Sequence, residues 1–304
     1  MGLRTMHAHR FSRAGVETMP KYLDWVIGYF LRTQAGEWAA AEPVTAAEPD
    51  KPAAHIFIVG FPRSGTTLLE SILGCLPGAV TTDEKDGLGD GVREFMATPG
   101  GLDRLATLRG PDLVRYRELY WQRMRERGLE HKDRIFVDKQ PYNTVKLPLI
   151  AKMFPDARIV FMVRNPRDVI LSCFRQRFRM NPSNFELLTL ESAASLYDQT
   201  MRLGEIYRAK LPLSIRQVRH EDIVSSFESE IRALCDFLKV PWNESMRTFQ
   251  DRARTQSIAT PSANQVAKGL SHDGTAQWRN YADQIAPVVP VLEPWVKKFG
   301  YDAR

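Results

Sequence analysis

The chain has 304 residues, 43% of them hydrophobic, a formal net charge of +6 and three cysteines. That size allows one large α/β domain with a full core, and no apolar run approaches the roughly 20 residues that span a bilayer. Neither a basic tail nor an aromatic-basic interleaving marks a nucleic-acid binder, and no Cys/His spacing marks a metal site. The expectation is therefore a protein with no nucleic-acid partner, no transmembrane segment and no metal. Cys75, Cys173 and Cys235 read as buried thiols of a reducing compartment. The N-terminus has no apolar block after its basic residues, so no signal peptide is read and a cytoplasmic location is expected.

Residues 1–52 read as an N-terminal helical extension and linker ahead of a domain at 53–304. Tyr22, Trp25, Val26, Tyr29 and Phe30 recur at helical spacing, and Pro20 can open that helix. This aromatic stripe is expected to pack on the domain. Gly36 to Pro52, rich in Ala, Glu and Pro, reads as the linker.

Ile56 to Val59 form a short apolar run that reads as a buried strand. Gly60 breaks it, and Leu68, Leu69, Ile72 and Leu73 then mark a helix from near Gly65. Strand, glycine turn and helix start aim several amides at one point, which suits a phosphate-like anion. Gly60 and Gly65 keep the glycine spacing of G-x-x-x-x-G-K-[ST], but Thr66 stands in the lysine's place and Thr67 follows. That lysine normally reaches the β/γ-phosphates. Without it the loop suits a shorter anion, with Arg63 supplying positive charge from another direction.

Farther along, Asp83 to Asp86 form a mixed charge run. Gly87 to Gly91 and Gly100-Gly101 read as a glycine-rich loop, followed by a helix from Asp112 to Arg127. A strand at Ile135 to Val137 ends in Asp138-Lys139-Gln140-Pro141. Another, Arg158 to Val163, leads into Arg164-Asn165-Pro166, with Asn165 as N-cap and Pro166 at a first helical position. Arg164 thus sits at a strand tip and Ser172 about two turns along the helix. Arg167, Arg175 and Arg177 read as solvated. A long helix is expected from Leu190 to Lys210, and a strand from Ser214 to Val218 precedes His220. Strands alternating with helices point to an α/β fold, a P-loop-type parallel sheet with helices on both faces, in a single domain. Ligands bind such sheets at the carboxyl ends of strands, where these motifs fall.

The run from Pro62 to Leu68, Pro-Arg-Ser-Gly-Thr-Thr-Leu, resembles the 5′-phosphosulfate-binding loop of sulfotransferases. These use 3′-phosphoadenosine 5′-phosphosulfate (PAPS) as donor and release adenosine 3′,5′-bisphosphate (PAP). The resemblance covers Ile56 to Tyr301 and is to bacterial enzymes similar to tyrosylprotein sulfotransferases. It implies that Arg63, Ser64, Gly65, Thr66 and Thr67 hold the 5′-phosphosulfate, and that Arg164 and Ser172 hold the 3′-phosphate. An arginine fork suits the latter because it offers paired donors. Lys139-Gln140-Pro141 resembles the K-x-P segment whose lysine approaches the oxygen bridging sulfate and phosphate. Counted from Arg63 without a gap, Glu84 falls on the catalytic glutamate of the tyrosylprotein enzymes, which takes the acceptor's proton. His220 is the rival base; otherwise it lines the donor pocket or is structural. In the segment Thr260-Pro261-Ser262, Ser262 matches a serine that stabilises the transferring sulfuryl group. Lys268-Gly269 looks like the element that closes over the 3′-phosphate. Ala267 departs from the arginine of cytosolic members, which leaves one phosphate contact unaccounted for. The resemblance implies a hydroxyl-bearing acceptor, and peptide tyrosine, carbohydrate, lipid and small molecule all stay open. Two other readings remain: a P-loop nucleotide-dependent kinase or hydrolase, and a non-catalytic nucleotide-binding module.

Overall fold

Five strands, β1 (Ala54–Gly60), β2 (Ala79–Thr81), β3 (Ile135–Lys139), β4 (Arg158–Val163) and β5 (Ser214–Arg219), pair in parallel in the order β2-β3-β1-β4-β5. A computed structural model describes residues 2–11, 17–39, 50–255, 262–271 and 274–301. Side chains alternate across each strand, so each feeds two cores. Phe57 and Val59 of β1, with Ile159, Phe161 and Val163 of β4, enter one apolar layer. Ile56, Ile58, Val160 and Met162 enter the other. The first layer is covered by the helices Leu190–Lys210, Pro166–Phe174 and Val289–Lys298; the second by α3 (Thr66–Leu73), which follows α1 (Gly2–Phe11) and α2 (Met19–Arg32) along the chain, and by Phe227–Leu238. This is the α/β sheet with helices on both faces expected from the sequence.

The chain leaves β1 toward β2 on one side and leaves β4 toward β5 on the other. A crevice therefore opens at the carboxyl ends of β1 and β4, the position where doubly wound sheets bind ligands. Gly60 makes this close approach possible. With φ at +149°, it sits where an added Cβ would lie 2.5 Å from the Met162 carbonyl oxygen of β4.

Both helices expected around these strands are present. Asn165 caps Pro166–Phe174 by accepting from the Arg167 amide, and Thr189 caps Leu190–Lys210 in the same way at Ser192. The glycine-rich loop is corrected. Gly89–Gly91 is a helical turn running into Val92–Met96, because glycines are needed where the segment meets its neighbours: a Cβ on Gly91 would lie 2.7 Å from Leu149, and one on Gly87 only 2.3 Å from Met124. Strand β2 has three half-buried residues, too few to show a period. Arg167 is buried rather than solvated and stacks on the Trp278 ring at 3.9 Å.

At the N-terminus, α1 (Gly2–Phe11) precedes α2 (Met19–Arg32), which Thr18 caps. The face of α2 that is buried is Leu23, Val26, Ile27 and Phe30, while Trp25 of the aromatic stripe stays 41% exposed. Trp38, inside the expected linker, is fully buried on a short 3-10 turn, Ala35–Trp38. Residues 40–49 of that linker lie outside the described residues. Phe30 packs its ring 5.0 Å from Trp38 and 4.9 Å edge-on from Tyr207 of the Leu190–Lys210 helix. Among the described residues no helix is long and apolar enough to cross a membrane.

Removing that ring should leave a cavity that the rigid helix pair cannot close. Phe30→Ala is expected to lower unfolding stability by about 3–5 kcal/mol, read from urea denaturation.

Candidate active site

The loop after β1 is built on left-handed backbone. Arg63 has φ at +70° and Gly65 at +99°. A Cβ on Gly65 would lie 2.7 Å from His220 Nδ1, so glycine is required both by conformation and by space. Ser64 Oγ donates to the Phe61 carbonyl at 2.7 Å, tightening the turn, and Thr144 Oγ1 accepts from the Gly60 amide at 2.9 Å. Thr66, in the place of the usual lysine, is buried together with Thr67.

Two arginines flank this loop. Arg63 donates from Nε to Ser172 Oγ at 2.9 Å, from Nη2 to Gln265 Oε1 at 2.7 Å, and from Nη1 to Ser262 Oγ. Arg164 donates to the Arg63 carbonyl at 3.2 Å and to the Gly274 carbonyl, and its buried Nε has no partner among the described residues. Ser172 is thus joined to Arg63, not to Arg164. Among the described residues neither guanidinium is paired with a carboxylate, so both positive charges are left for an anion. Burial pulls the Arg63 guanidinium below its usual range, and the neighbouring Arg164 adds to this. Asp168 accepts from the Ala276 and Trp278 amides at 2.8 and 2.9 Å, and so ties the 274–281 segment beside Arg164.

Arg63, Gly65, Arg164, His220, Ser262 and Lys268 are among the residues lining a cavity of about 270 Å³. Gly269 lines it too, with φ at +88°. Ser172 does not, since its hydroxyl faces Arg63. His220, half-buried, is held near a pKa of about 3 by burial and, secondarily, by Arg164. A neutral imidazole with its Nδ1 packed against Gly65 is a wall of the cavity. Thr260-Pro261 lies outside the described residues.

A second cavity of about 140 Å³ is lined by Glu84, Gln140, Tyr142 and Asn181. The two cavities share Arg63, Thr67 and Ser262. Glu84 follows β2, its side chain 36% exposed, with the Lys139 ammonium 2.8 Å from Oε1. Lys139 has no exposed side-chain surface and lines neither cavity. Its second partner is Glu70 Oε2 at 3.2 Å. Burial lowers the affinity of Lys139 for its proton, but Glu70 and Glu84 together reverse that and raise its pKa. The leaving-oxygen role implied for Lys139 by resemblance would require its ammonium to leave both carboxylates. Sequence reasoning also missed Glu70 and Gln265. Only an acid within the apolar register of α3 signals the first, and nothing local signals the second.

Among the described residues no group of three or more His, Cys, Asp or Glu side chains could hold a metal ion. A family model described as "Sulfotransferase family" matches residues 55–244. The chain belongs to this family. It is 28% identical over 258 residues to an uncharacterized protein of Aquifex aeolicus, spanning 80% of this chain and 33% of that protein. It is 22% identical over 279 residues to protein-tyrosine sulfotransferase A of Caenorhabditis elegans, spanning 81% of this chain and 67% of that one. The chain therefore spans one third of one relative and about two thirds of the other. Among solved structures, the sulfotransferase domain of the Synechococcus PCC 7002 olefin synthase superposes with a TM-score of 0.55 at 23% identity, covering 84% of this chain and 97% of that one. The sulfotransferase domain from the curacin biosynthetic pathway superposes at 0.52 and 18% identity, covering 84% of this chain and all of that one. At these identities the structural likeness is one of fold.

His220 titrates near 3 when folded and near 6.5 when unfolded. Below about pH 6.5 the unfolded chain takes up a proton that the folded chain does not, so stability is lost as pH falls toward 3. His220→Gln should show a shallower acid loss across that window, and NMR of the wild-type ring should show no protonation above about pH 5.

Proposed function

We propose that this sulfotransferase-family chain transfers a sulfuryl group from PAPS to an acceptor hydroxyl. The observation that carries this reading is the meeting of two cavities at Arg63, Thr67 and Ser262. Among the described residues, one holds guanidinium and amide donors with no carboxylate in an ion pair with either arginine, and the other holds a carboxylate and no cation but the shared arginine. An anionic donor and a hydroxyl acceptor fit these two chemistries.

The residues present fit the donor. The amides from Arg63 to Thr67 and the start of α3 would receive the 5′-phosphosulfate. Arg164, whose buried Nε lacks a partner among the described residues, would take the 3′-phosphate, with Lys268 and Gly269 also lining the cavity. When bound, PAPS supplies an activated sulfate whose leaving group is a stable phosphate. Glu84 would accept the acceptor's proton as its oxygen attacks sulfur. Arg63 and Ser262, at the junction, would stabilise charge on the transferring group. Ser172 acts by holding Arg63. In this reading Lys139 holds Glu84 and not the leaving oxygen. Acceptor entry is favoured through the second cavity, because Phe178 and Asn184 continue it into a groove of about 1000 Å³ lined also by Phe174, Met180 and Leu187.

Labelled PAPS incubated with a tyrosine peptide, a carbohydrate, a lipid alcohol and p-nitrophenol should label at least one of them. Phosphoryl transfer from ATP·Mg²⁺ in place of sulfate transfer would instead favour a kinase. Glu84→Ala should cut kcat at least 100-fold while calorimetric PAP binding survives. Arg164→Ala should weaken PAP binding at least tenfold, the loss of one charge-assisted contact.

A further inference from the structure

Helix α3 carries a single acidic residue. Glu70 lies among Leu68, Leu69, Ile72 and Leu73 and is only 5% exposed. A carboxylate removed from water is costly unless it is paired and hydrogen-bonded. Glu70 has a partner for each oxygen. Oε2 lies 3.2 Å from Lys139 Nζ, and Oε1 accepts from the Asp83 amide at 2.9 Å.

Both partners lead to Glu84. Asp83 and Glu84 take left-handed backbone in succession, with φ at +47° and +66°. Side-chain-bearing residues seldom do this, and such a turn persists only where its surroundings over-determine it. Here the Glu84 amide donates to the Lys139 carbonyl at 3.2 Å, and the Lys139 ammonium holds the Glu84 carboxylate at 2.8 Å. Thr82 Oγ1 accepts from the Lys139 amide at 3.0 Å. Glu70 completes the set, gripping the turn directly at Asp83 and indirectly through Lys139. It lines neither cavity, so it touches neither donor nor acceptor.

We propose that Glu70 is a positioning residue: it clamps the Asp83 amide and the Lys139 ammonium, and through them fixes the left-handed turn that presents Glu84 to the cleft. The inference rests on the reading of Glu84 as base. Burial pushes the Glu70 carboxyl up to about 7, while Lys139 and the Asp83 amide pull it back down.

Glu70→Gln keeps the shape and removes the charge. Hydrogen exchange at amides 82–86 should become at least tenfold faster, with 60–67 unchanged. With the acceptor that turns over in the screen above, kcat should fall at least tenfold while PAP Kd and acceptor KM stay within threefold. If Glu70→Gln does not fold, Glu70→Gln/Lys139→Met removes both buried charges together. That double variant should show the same fast exchange and a kcat no lower than Lys139→Met alone. Unchanged exchange at 82–86 overturns the clamp. An unchanged kcat, or a loss of PAP affinity matching the loss of kcat, overturns the positioning role. Failure of the functional reading appears separately, as wild-type protein that neither binds PAP nor transfers sulfate; exchange then decides the clamp by itself.

Discussion

Parallel pairing of β1 with β3 on one side and β4 on the other is the constraint from which the site follows. Register places Ile58 beside Lys139 and Gly60 beside Met162. The chain therefore leaves all three strands at the same end of the sheet, which brings residues 63, 139 and 164 to one edge. No local preference brings them together. The sheet does so because apolar residues alternate between two separate cores, which forbids a one-residue slip.

Within that frame the cations divide into two kinds. Arg63 and Arg164 are held by hydroxyl, amide and carbonyl oxygens, groups that orient a guanidinium without cancelling its charge. Lys139 is held by two carboxylates, which do cancel it. The difference follows from depth. A guanidinium at the cavity wall keeps some contact with water, whereas an ammonium with no exposed surface needs full compensation. The positive potential of the site is thus concentrated on one cavity and withdrawn from the other.

Much of this was legible in the sequence. Short apolar runs followed by glycine or proline located β1, β3 and β4, β5 was read from Ser214 to Val218 without such a stop, and the Asn165-Pro166 pair marked a helix start that the structure keeps. The substitution of Thr66 for lysine signalled an unusual anion loop. What escaped reading depends on distance along the chain. Glu70 meets a lysine 69 residues later, and a lone acid in an apolar helix reads locally as solvent-facing. Ser172 stands about two turns along a helix, which says nothing of its bond to Arg63. The aromatic stripe near the N-terminus was visible and packs as expected through Val26 and Phe30, with Tyr22 and Tyr29 half-buried beside them; only Trp25 turns outward, which its spacing alone did not tell. Gly87 and Gly91 read as loop because glycine breaks local order, whereas here it admits Tyr120, Met124 and Leu149 at close range.

The hold of Arg63 on Ser262 and Gln265 carries a thermodynamic cost for whatever enters the cleft. Those two side chains occupy N–H groups that an incoming anion would claim, so the turn carrying Ser262 and Gln265 and the guest draw on one set of donors. By linkage, each must weaken the other to the same degree wherever they cannot share. A guest tight enough to win would release these two side chains as it arrives, and their return to Arg63 would help expel it.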